Sequence, residues 1–497
     1  MAGETASDVW TEEDPMATVS VTEQKQEVPL WIGGEPVTTR TVRTICIPYD
    51  GAPLASVCEA DEAALERAVA AAEEGAQAMA ALTLYERAEI LDRMRGLLAR
   101  DAEEFARLIA SESGKPIREA RVEVERGQQT LLASADAARG LHGEVVPMEA
   151  GPSGKGRWGI TVREPLGIVG AITPFNFPLN LGLHKIGPAL AGGNSIIQKP
   201  SENTPLTALR FASLAHEGGL PRGAYNVVSG AGETVGDWLV RNDRLAMITF
   251  TGSIPVGEQI RARSGLRRVT LELGNNSSLI VEPDADLDFI VPRAVSGSFA
   301  HSGQVCISVQ NIYLHEVIAG EFIRRFVEGA RGLKIGHPLD DSTEVSSLIN
   351  VDQARRVESW VNEARSAGAR VLTGGVRRGA TIEPTVLDDV LPHLPISCNE
   401  AFGPVVSLHR YNRLEDAIKC VNTGDYGLQV GLCTQNLNTA FRAARALHYG
   451  GVIVNDVPAY RADHMPYGGA RHSGIGREGP RYAIEEMTEL KLICWRA

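Results

Sequence analysis

Long apolar runs are missing from this chain of 497 residues: none reaches the roughly 18 residues that cross a bilayer, so no membrane span is expected. Cysteine is scarce and poorly spaced for pairing. The seven, Cys46, Cys58, Cys306, Cys398, Cys420, Cys433 and Cys494, are odd in number and include no CxxC. That argues against a disulfide framework or a zinc site and favours a reducing compartment, expected to be the cytoplasm. Basic charge is short as well. The net charge is −13, with no basic stripe interleaved with aromatics, so nucleic acid is a poor partner. The opening run MAGETASDVWTEEDP lacks the apolar centre of a signal peptide, and residues 1–25 are expected to form a disordered tail.

Glycine, by contrast, is abundant at 51 residues, which suits the tight turns and close backbone approaches of α/β nucleotide-binding folds. A chain of this length holds two or three domains at roughly 100–200 residues each. Short strands are expected from residue 28 (LWIGGEPV, ICIPYDGAPLASV), followed by helical stretches over residues 63–80, 83–113 and 116–141. In the second of these, Ile90, Leu91, Met94, Leu97 and Leu98 share one helical face. After Pro165 the apolar strands LGIVGAITP, SIIQKPS, YNVVSG and MITFTGS alternate with helices at 179–190, 206–216 and 234–241. That alternation is the signature of a doubly wound parallel sheet, which binds ligands at the carboxyl ends of its strands. A second alternation runs from 273 to 454 (SSLIVEP, QNIYLH, GVIVND), and LKLIC near the end reads as an edge strand.

Several residues carry chemistry in these contexts. Cys306, in HSGQVCISVQ, supplies a thiol, the strongest neutral-pH nucleophile among side chains. A lone cysteine is more often a small buried hydrophobe. Here the preceding Ser302, Gly303 and Gln304 suggest a turn that presents the thiol at a helix start, where the dipole favours thiolate. Glu272, between Leu271 and Leu273 at a strand end, is a candidate general base whose pKa burial would raise; the alternative is a surface glutamate. Asn176, held between Phe175 and Phe177 and flanked by Pro174 and Pro178, offers a rigid amide donor for an oxyanion, or is simply a turn asparagine. Lys199 and Glu202 follow a buried strand at the place where a dinucleotide lies in such folds. The Phe250-Thr251-Gly252-Ser253 turn lets phosphates approach the backbone, although no GxGxxG follows the first strand.

Taken in order, PFNFP, KPSE, FTGS, LELG, GQVC, NEAFGPV and MPYGG, spanning residues 174–469, resemble the aldehyde dehydrogenase superfamily. The resemblance implies an α/β fold with two doubly wound parallel-sheet domains and a small projecting β segment used for oligomerisation. The NAD-binding domain is expected over residues 26–144 and 168–272, the catalytic domain over 273–477, and the projecting segment over 145–167 and 478–497. It also implies roles. Cys306 matches the nucleophile, Glu272 the base that activates water, and Asn176 the oxyanion donor, which it shares with the Cys306 backbone N–H. Lys199 and Glu202 match adenosine-ribose contacts; Phe250, Gly252 and Ser253 the pyrophosphate and nicotinamide side; Glu400 and Phe402 the nicotinamide ribose; Gly232 and Gly236 a close-packed helix near the adenine. Ile172, Thr173, Pro174, Phe175, Ser201 and Leu273 are expected to line the same cofactor cleft. The implied reaction runs through a thiohemiacetal and a thioester on Cys306, with NAD preferred over NADP because Glu202 repels a 2′-phosphate. No metal is expected.

Three positions depart from the commonest pattern of that family. Phe175 stands for Trp and Tyr467 for Phe, both keeping an aromatic, and Asn275 replaces a Gly. The segments FNFPLNL, VNDVPAYRADHMPYGG and HSGIGREG resemble the branch that acts on lactaldehyde, phosphonoacetaldehyde and succinate semialdehyde, pointing to a small aldehyde that is anionic in several members. Arg126, His184 and Arg461 are the candidate substrate contacts. Each has a bland alternative: a solvated helix face beside Glu123 and Glu125, helix packing, and a loop-structural role. Val305 stands where some anion-selective members carry Arg. Two rival functions remain, a CoA-acylating dehydrogenase, which tends to lack the glutamate at 272, and a non-catalytic binding or structural protein on the same fold. A homodimer or homotetramer is expected.

Overall fold

The computed structural model describes residues 27–496; the tail expected over residues 1–25 lies outside them. The apolar runs after Pro165 form five parallel strands, Ile168–Ile172, Ser195–Lys199, Tyr225–Val227, Met247–Thr251 and Arg268–Glu272. The first of them lies in the middle. The chain builds outward through Ser195–Lys199 and Tyr225–Val227, then returns to add Met247–Thr251 and Arg268–Glu272 on the other side. Strand order therefore reverses between Ile168–Ile172 and Met247–Thr251, and the loops leaving those two carboxyl ends diverge and open a crevice. Antiparallel strands finish both edges of this eight-stranded sheet: Leu30–Ile32 and Glu35–Val37 at one, Gly474–Ile475 at the other.

The second alternation forms a seven-stranded sheet. Six strands are parallel, with Ser277–Val281 and Val309–His315 central, and only Arg370–Thr373 runs antiparallel at an edge. A third sheet projects from both. In it Thr488–Arg496 pairs antiparallel along the whole of Arg157–Pro165, whose other side takes Val145–Val146. The fold is thus α/β with two doubly wound sheets and a small β projection, and LKLIC lies on an edge strand.

Helices follow the expected periodicity with local changes. The stretch 83–113 is two helices, Leu84–Arg100 and Ala102–Ser113, broken at Asp101. The first opens on a capping box between Thr83 and Glu86 and buries Ile90, Leu91, Met94 and Leu98. The helix expected over 234–241 begins instead with a π turn, Gly232–Gly236, that passes into Asp237–Arg241. Helix Asn180–Ala191 is buried at every position. Its own N-terminus has no side-chain cap; Glu123 supplies one from the neighbouring helix, accepting from the Leu179 and Asn180 N–H groups at 3.0 and 3.1 Å. Glu123, beside which a solvated helix face is the alternative reading for Arg126, is 1% exposed and pairs with the buried Lys115. A carboxylate at a helix start satisfies the orphan N–H groups and complements the helix dipole, and this one fixes the chain just after Asn176. Among the described residues no helix is long and apolar enough to cross a membrane.

Candidate active site

The crevice at the strand carboxyl ends is a cleft of about 1130 Å³. Ile172, Thr173, Pro174, Phe175, Lys199, Ser201, Glu202, Gly232, Gly236, Phe250, Gly252, Ser253, Leu273, Glu400 and Phe402 line it, and its inner end reaches Asn176, Glu272 and Cys306. Every residue assigned from the sequence to the cofactor or to catalysis therefore meets in one cavity, although they come from two sheets.

The cysteine arrives on a strained loop. His301, Ser302 and Gly303 have φ of 46°, 54° and 72°, three left-handed residues in a row, two of them with side chains. Such backbone is unfavourable unless its surroundings hold it. Here they do: the His301 N–H donates to Glu119 at 2.7 Å, and Ser302 exchanges hydrogen bonds with the Ser346 backbone at 2.9 and 3.2 Å. Gln304 Oε1 accepts from the Ile349 N–H at 2.8 Å. At Gly303 a Cβ would strike the Gly403 carbonyl, so only glycine fits. The helix start expected at Cys306 is absent. The loop is a 3₁₀ turn, Ala300–Gly303, that runs through a turn into Val309–His315. No helix dipole assists the thiol, and burial pushes it up to about 12.

Asn176 is 3% exposed, and its Nδ2 donates to the Gln304 carbonyl at 2.8 Å. That bond ties the amide to the cysteine loop two residues before Cys306. Glu272 ends its strand at 3% exposure, and neither carboxylate oxygen has a hydrogen-bond partner. Burial, reinforced by repulsion from Glu478, raises its pKa well above the carboxylate range; Lys185, Arg461 and Arg477 only partly oppose this. The sequence expectation of a partly desolvated acid is met.

Among the residues assigned to the cofactor, burial lowers Lys199 to about 8, partly offset by Glu202. Glu202 is more open, with Arg43 4.0 Å away. Glu400 accepts from the Asn275 N–H at 3.0 Å, and burial pushes it up to about 7. Asn275, the residue in place of a family glycine, is buried and also holds Ser277 and the Gln429 carbonyl. Phe175 meets Phe402 edge to face at 5.8 Å. The close packing expected at Gly232 and Gly236 is not made by the protein: a methyl on Gly232 would touch nothing, and one on Gly236 would sit 3.9 Å from Lys199. Buried Lys199, open Glu202 and a backbone turn at Gly252 suit a dinucleotide at the strand ends.

The three substrate candidates lie away from the cleft lining. Arg126 makes two bonds to Asp463, Nε at 3.1 Å and Nη2 at 2.9 Å, and its side chain is 26% exposed. His184 is buried and bonds the same Asp463 at 3.0 Å. The Arg461 side chain is 5% exposed and pairs with Glu478 at 2.8 Å, in line with the loop-structural alternative.

Two functional-looking residues were given no role from the sequence. Glu478 lines the cleft and binds both Arg461 and Lys185, the latter at 2.9 Å. Burial alone would raise it, but those two cations outweigh burial and hold it ionised. The available signal was Lys185, a charge inside an otherwise apolar helix, which must have a partner. Tyr467, read as a neutral exchange for Phe, places its hydroxyl 2.8 Å from Cys306 Sγ.

Comparison with known proteins identifies the family. The aldehyde dehydrogenase family model matches residues 35–493, and the chain belongs to that family of oxidoreductases. The 3-sulfolactaldehyde dehydrogenase of Priestia megaterium is 46% identical over 474 residues, covering 95% of this chain and 99% of that one. The lactaldehyde dehydrogenase of Methanococcus aeolicus is 39% identical over 472 residues, covering 93% and 99%. Among solved structures, aldehyde dehydrogenase 21 from Physcomitrella patens in complex with the reaction product succinate superposes with a TM-score of 0.93 at 39% identity, covering 95% of this chain and 99% of that one. Similar structures include complexes with NAD and with NADP.

The loop geometry generates a prediction. Gly303→Ala adds a side chain to left-handed backbone at a cost of about 1–2 kcal/mol before any clash, and it displaces Cys306. The variant should melt at lower temperature and lose about 10²-fold in kcat/KM for aldehyde oxidation. Wild-type values in both assays would show that the loop is not under this constraint.

Proposed function

We propose that this protein oxidises a small aldehyde, anionic at its far end, to the carboxylic acid with NAD(P)+, using Cys306 as nucleophile. The observation that carries this reading is the shared cavity: thiol, amide and unpaired carboxylate stand at the inner end of a cleft shaped for a dinucleotide. The Cys306 sulfur adds to the carbonyl carbon, and negative charge moves to the carbonyl oxygen. An amide nitrogen carries two N–H groups. With one of Asn176's on Gln304, the other is available to that oxygen beside the Cys306 backbone N–H. When bound, the nicotinamide supplies the oxidant that converts the thiohemiacetal to a thioester. Glu272 then takes a proton from water, which attacks the thioester and releases the acid. A buried, unpaired carboxylate at 272 favours water over CoA as acyl acceptor, and acid formation without CoA is the expected assay result.

Burial and the neighbouring Glu478 push the Glu272 pKa upward, so the fraction able to accept a proton grows as pH rises through that raised titration. Turnover should therefore rise with pH as Glu272 loses its proton. Cys306→Ala should abolish oxidation. Glu272→Gln should yield one equivalent of NADH per site and then stall, losing the alkaline rise. Continued turnover by Glu272→Gln at wild-type rate would remove the residue from the mechanism.

The substrate reading takes Arg126 as the anion contact: it lies outside the cleft lining, but its guanidinium stands 5.9 Å from the ring centre of Phe177, the residue after Asn176, and its side chain keeps an open surface. Asp463 holds its Nε and Nη2, which orients the Nη1 edge. Relatives named for a sulfonated aldehyde and a structure holding succinate support an anionic tail; a lactaldehyde relative shows that a neutral one is accepted nearby. The kcat/KM for 3-sulfolactaldehyde, phosphonoacetaldehyde and succinate semialdehyde should exceed that for lactaldehyde by about tenfold or more, the size of one charge-assisted bond. Arg126→Ala should erase the difference without harming lactaldehyde oxidation. Equal use of a neutral aliphatic aldehyde by the wild type would defeat the anion assignment.

NAD is the preferred cofactor in this reading, since the Glu202 carboxylate meets a 2′-phosphate with like charge and Arg43, 4.0 Å away, only partly offsets it. Self-association as a homodimer or homotetramer is part of the same proposal. The edge strand Thr488–Arg496 is open on one side and exposes Leu490, Leu492 and Trp495, and light scattering tests it directly. For the cofactor, Glu202→Ser should raise the NADP-to-NAD ratio of kcat/KM by about tenfold, one like-charge contact removed; an unchanged ratio would place discrimination elsewhere.

A further inference from the structure

The side chain that touches the thiol is a tyrosine. Tyr467 is 3% exposed, and its hydroxyl oxygen lies 2.8 Å from Cys306 Sγ. The Arg461 guanidinium stands over the ring, 3.6 Å from its centre. Glu478 fixes that guanidinium by a 2.8 Å ion pair, and the backbones of Tyr467 and Glu478 exchange hydrogen bonds at 3.1 and 2.7 Å. Cation, ring and carboxylate therefore form one braced unit whose polar tip is the phenol oxygen against the sulfur.

The charges around the sulfur make that contact important. Burial is the largest influence and opposes the thiolate, and the carboxyls of Glu400 and Glu272 oppose it too. Tyr467, by its hydrogen bond, and Arg461, by its charge, are the leading influences that favour the anion. The groups facing the Tyr467 hydroxyl itself are Cys306, Arg461 and Glu272, and burial keeps the phenol protonated. It is thus a donor at working pH, and a cation over its ring strengthens the donor by drawing on the π electrons.

We propose that Tyr467 is a catalytic residue whose hydroxyl, backed by Arg461, donates a hydrogen bond to the Cys306 sulfur and stabilises the thiolate that attacks the aldehyde. The thiol proton leaves to water in the cleft, and the phenol keeps its own proton throughout. A C–S bond then forms, the carbonyl π pair moves to oxygen, and the bond from Tyr467 weakens as the sulfur loses its charge. The inference rests on the reading of Cys306 as nucleophile.

A hydrogen bond to a charged group shifts a titration by about one to two pH units. Nucleophilicity falls as thiolate basicity falls, with a Brønsted slope near 0.4–0.5, so part of the gain in thiolate is given back. Removing the hydroxyl should therefore slow reaction at neutral pH by about three- to tenfold and leave the alkaline limit unchanged or faster. The test is the pH profile of iodoacetamide alkylation at Cys306 in the full-length enzyme, located by mass spectrometry and followed in parallel by loss of aldehyde oxidation. For Tyr467→Phe alkylation across the neutral range should slow by about three- to tenfold, because burial already pushes the thiol up to about 12 and both proteins react there through a small thiolate fraction. Unchanged or faster alkylation of the variant at neutral pH would overturn the proposal. Should that variant fail to fold, wild-type protein grown on 3-fluorotyrosine carries a stronger phenol donor, and its alkylation at neutral pH should be faster; no change overturns the proposal. Alkylation of Cys306 that spares aldehyde oxidation would instead sink the nucleophile reading, whatever Tyr467 does.

Discussion

Glu478 is the charge on which the site depends. It is a carboxylate at 3% side-chain exposure that binds Lys185 from a fully buried helix and Arg461 from the loop before Tyr467. Unpaired, any of the three charges would be costly in such surroundings; paired, they form a network that is expensive to break. Its consequences reach in two directions. Toward Glu272 its charge is repulsive and helps keep that group neutral. Toward Arg461 it is attractive and sets the cation over Tyr467. The two carboxyls are thereby pushed in opposite directions, Glu478 toward its ionised form and Glu272 toward its protonated form, by environment alone.

The second constraint is the meeting of two sheets. The dinucleotide crevice belongs to the first sheet, while the cysteine comes from the second, on the turn that feeds Val309–His315. Precision at that junction comes from hydrogen bonds that cross it: Asn176 to the Gln304 carbonyl, Glu119 to His301, and Glu400 to Asn275. Left-handed backbone at His301 and Ser302 persists because these bonds over-determine it. A relaxed loop would not hold the sulfur and the amide in one fixed relation.

The parallel strands, the carboxyl-end crevice and the meeting of Cys306, Glu272 and Asn176 in it were legible in the sequence because each rests on a local signal. Apolar β-branched runs alternate with helices, and each reactive residue sits in a short run with glycine, proline or apolar flanks. What was not legible depended on tertiary partners. His301 and Ser302 adopt positive φ with no glycine to announce it, and so the loop was misread as a helix start. Glu123 looked like a surface charge until a helix N-terminus was placed against it. The loop-structural alternative for Arg461 rested on no named partner, because Glu478 lies 17 positions away, and the exchange of Phe for Tyr at 467 passed as conservative because the sequence does not show a sulfur within reach of the added oxygen.

These partners explain why the site is quiet before substrate enters. Burial raises both Cys306 and Glu272, pushing each toward its uncharged form. Two anions in one dry pocket would repel each other, and a free thiolate invites oxidation. The remedy has to be a positive influence that acts on the sulfur first. Arg461 cannot supply it by direct contact, since Glu478 and the Tyr467 ring occupy its surroundings. It acts through the phenol, which carries polarisation to the sulfur without bringing a mobile charge into the cleft. In the mechanism proposed above, bonding to carbon moves the charge from the sulfur to the carbonyl oxygen, where the Asn176 amide meets it, and Glu272 is left to take its proton from water in the hydrolytic half of the reaction. On that reading the acid–base order follows from where the charge on the sulfur goes.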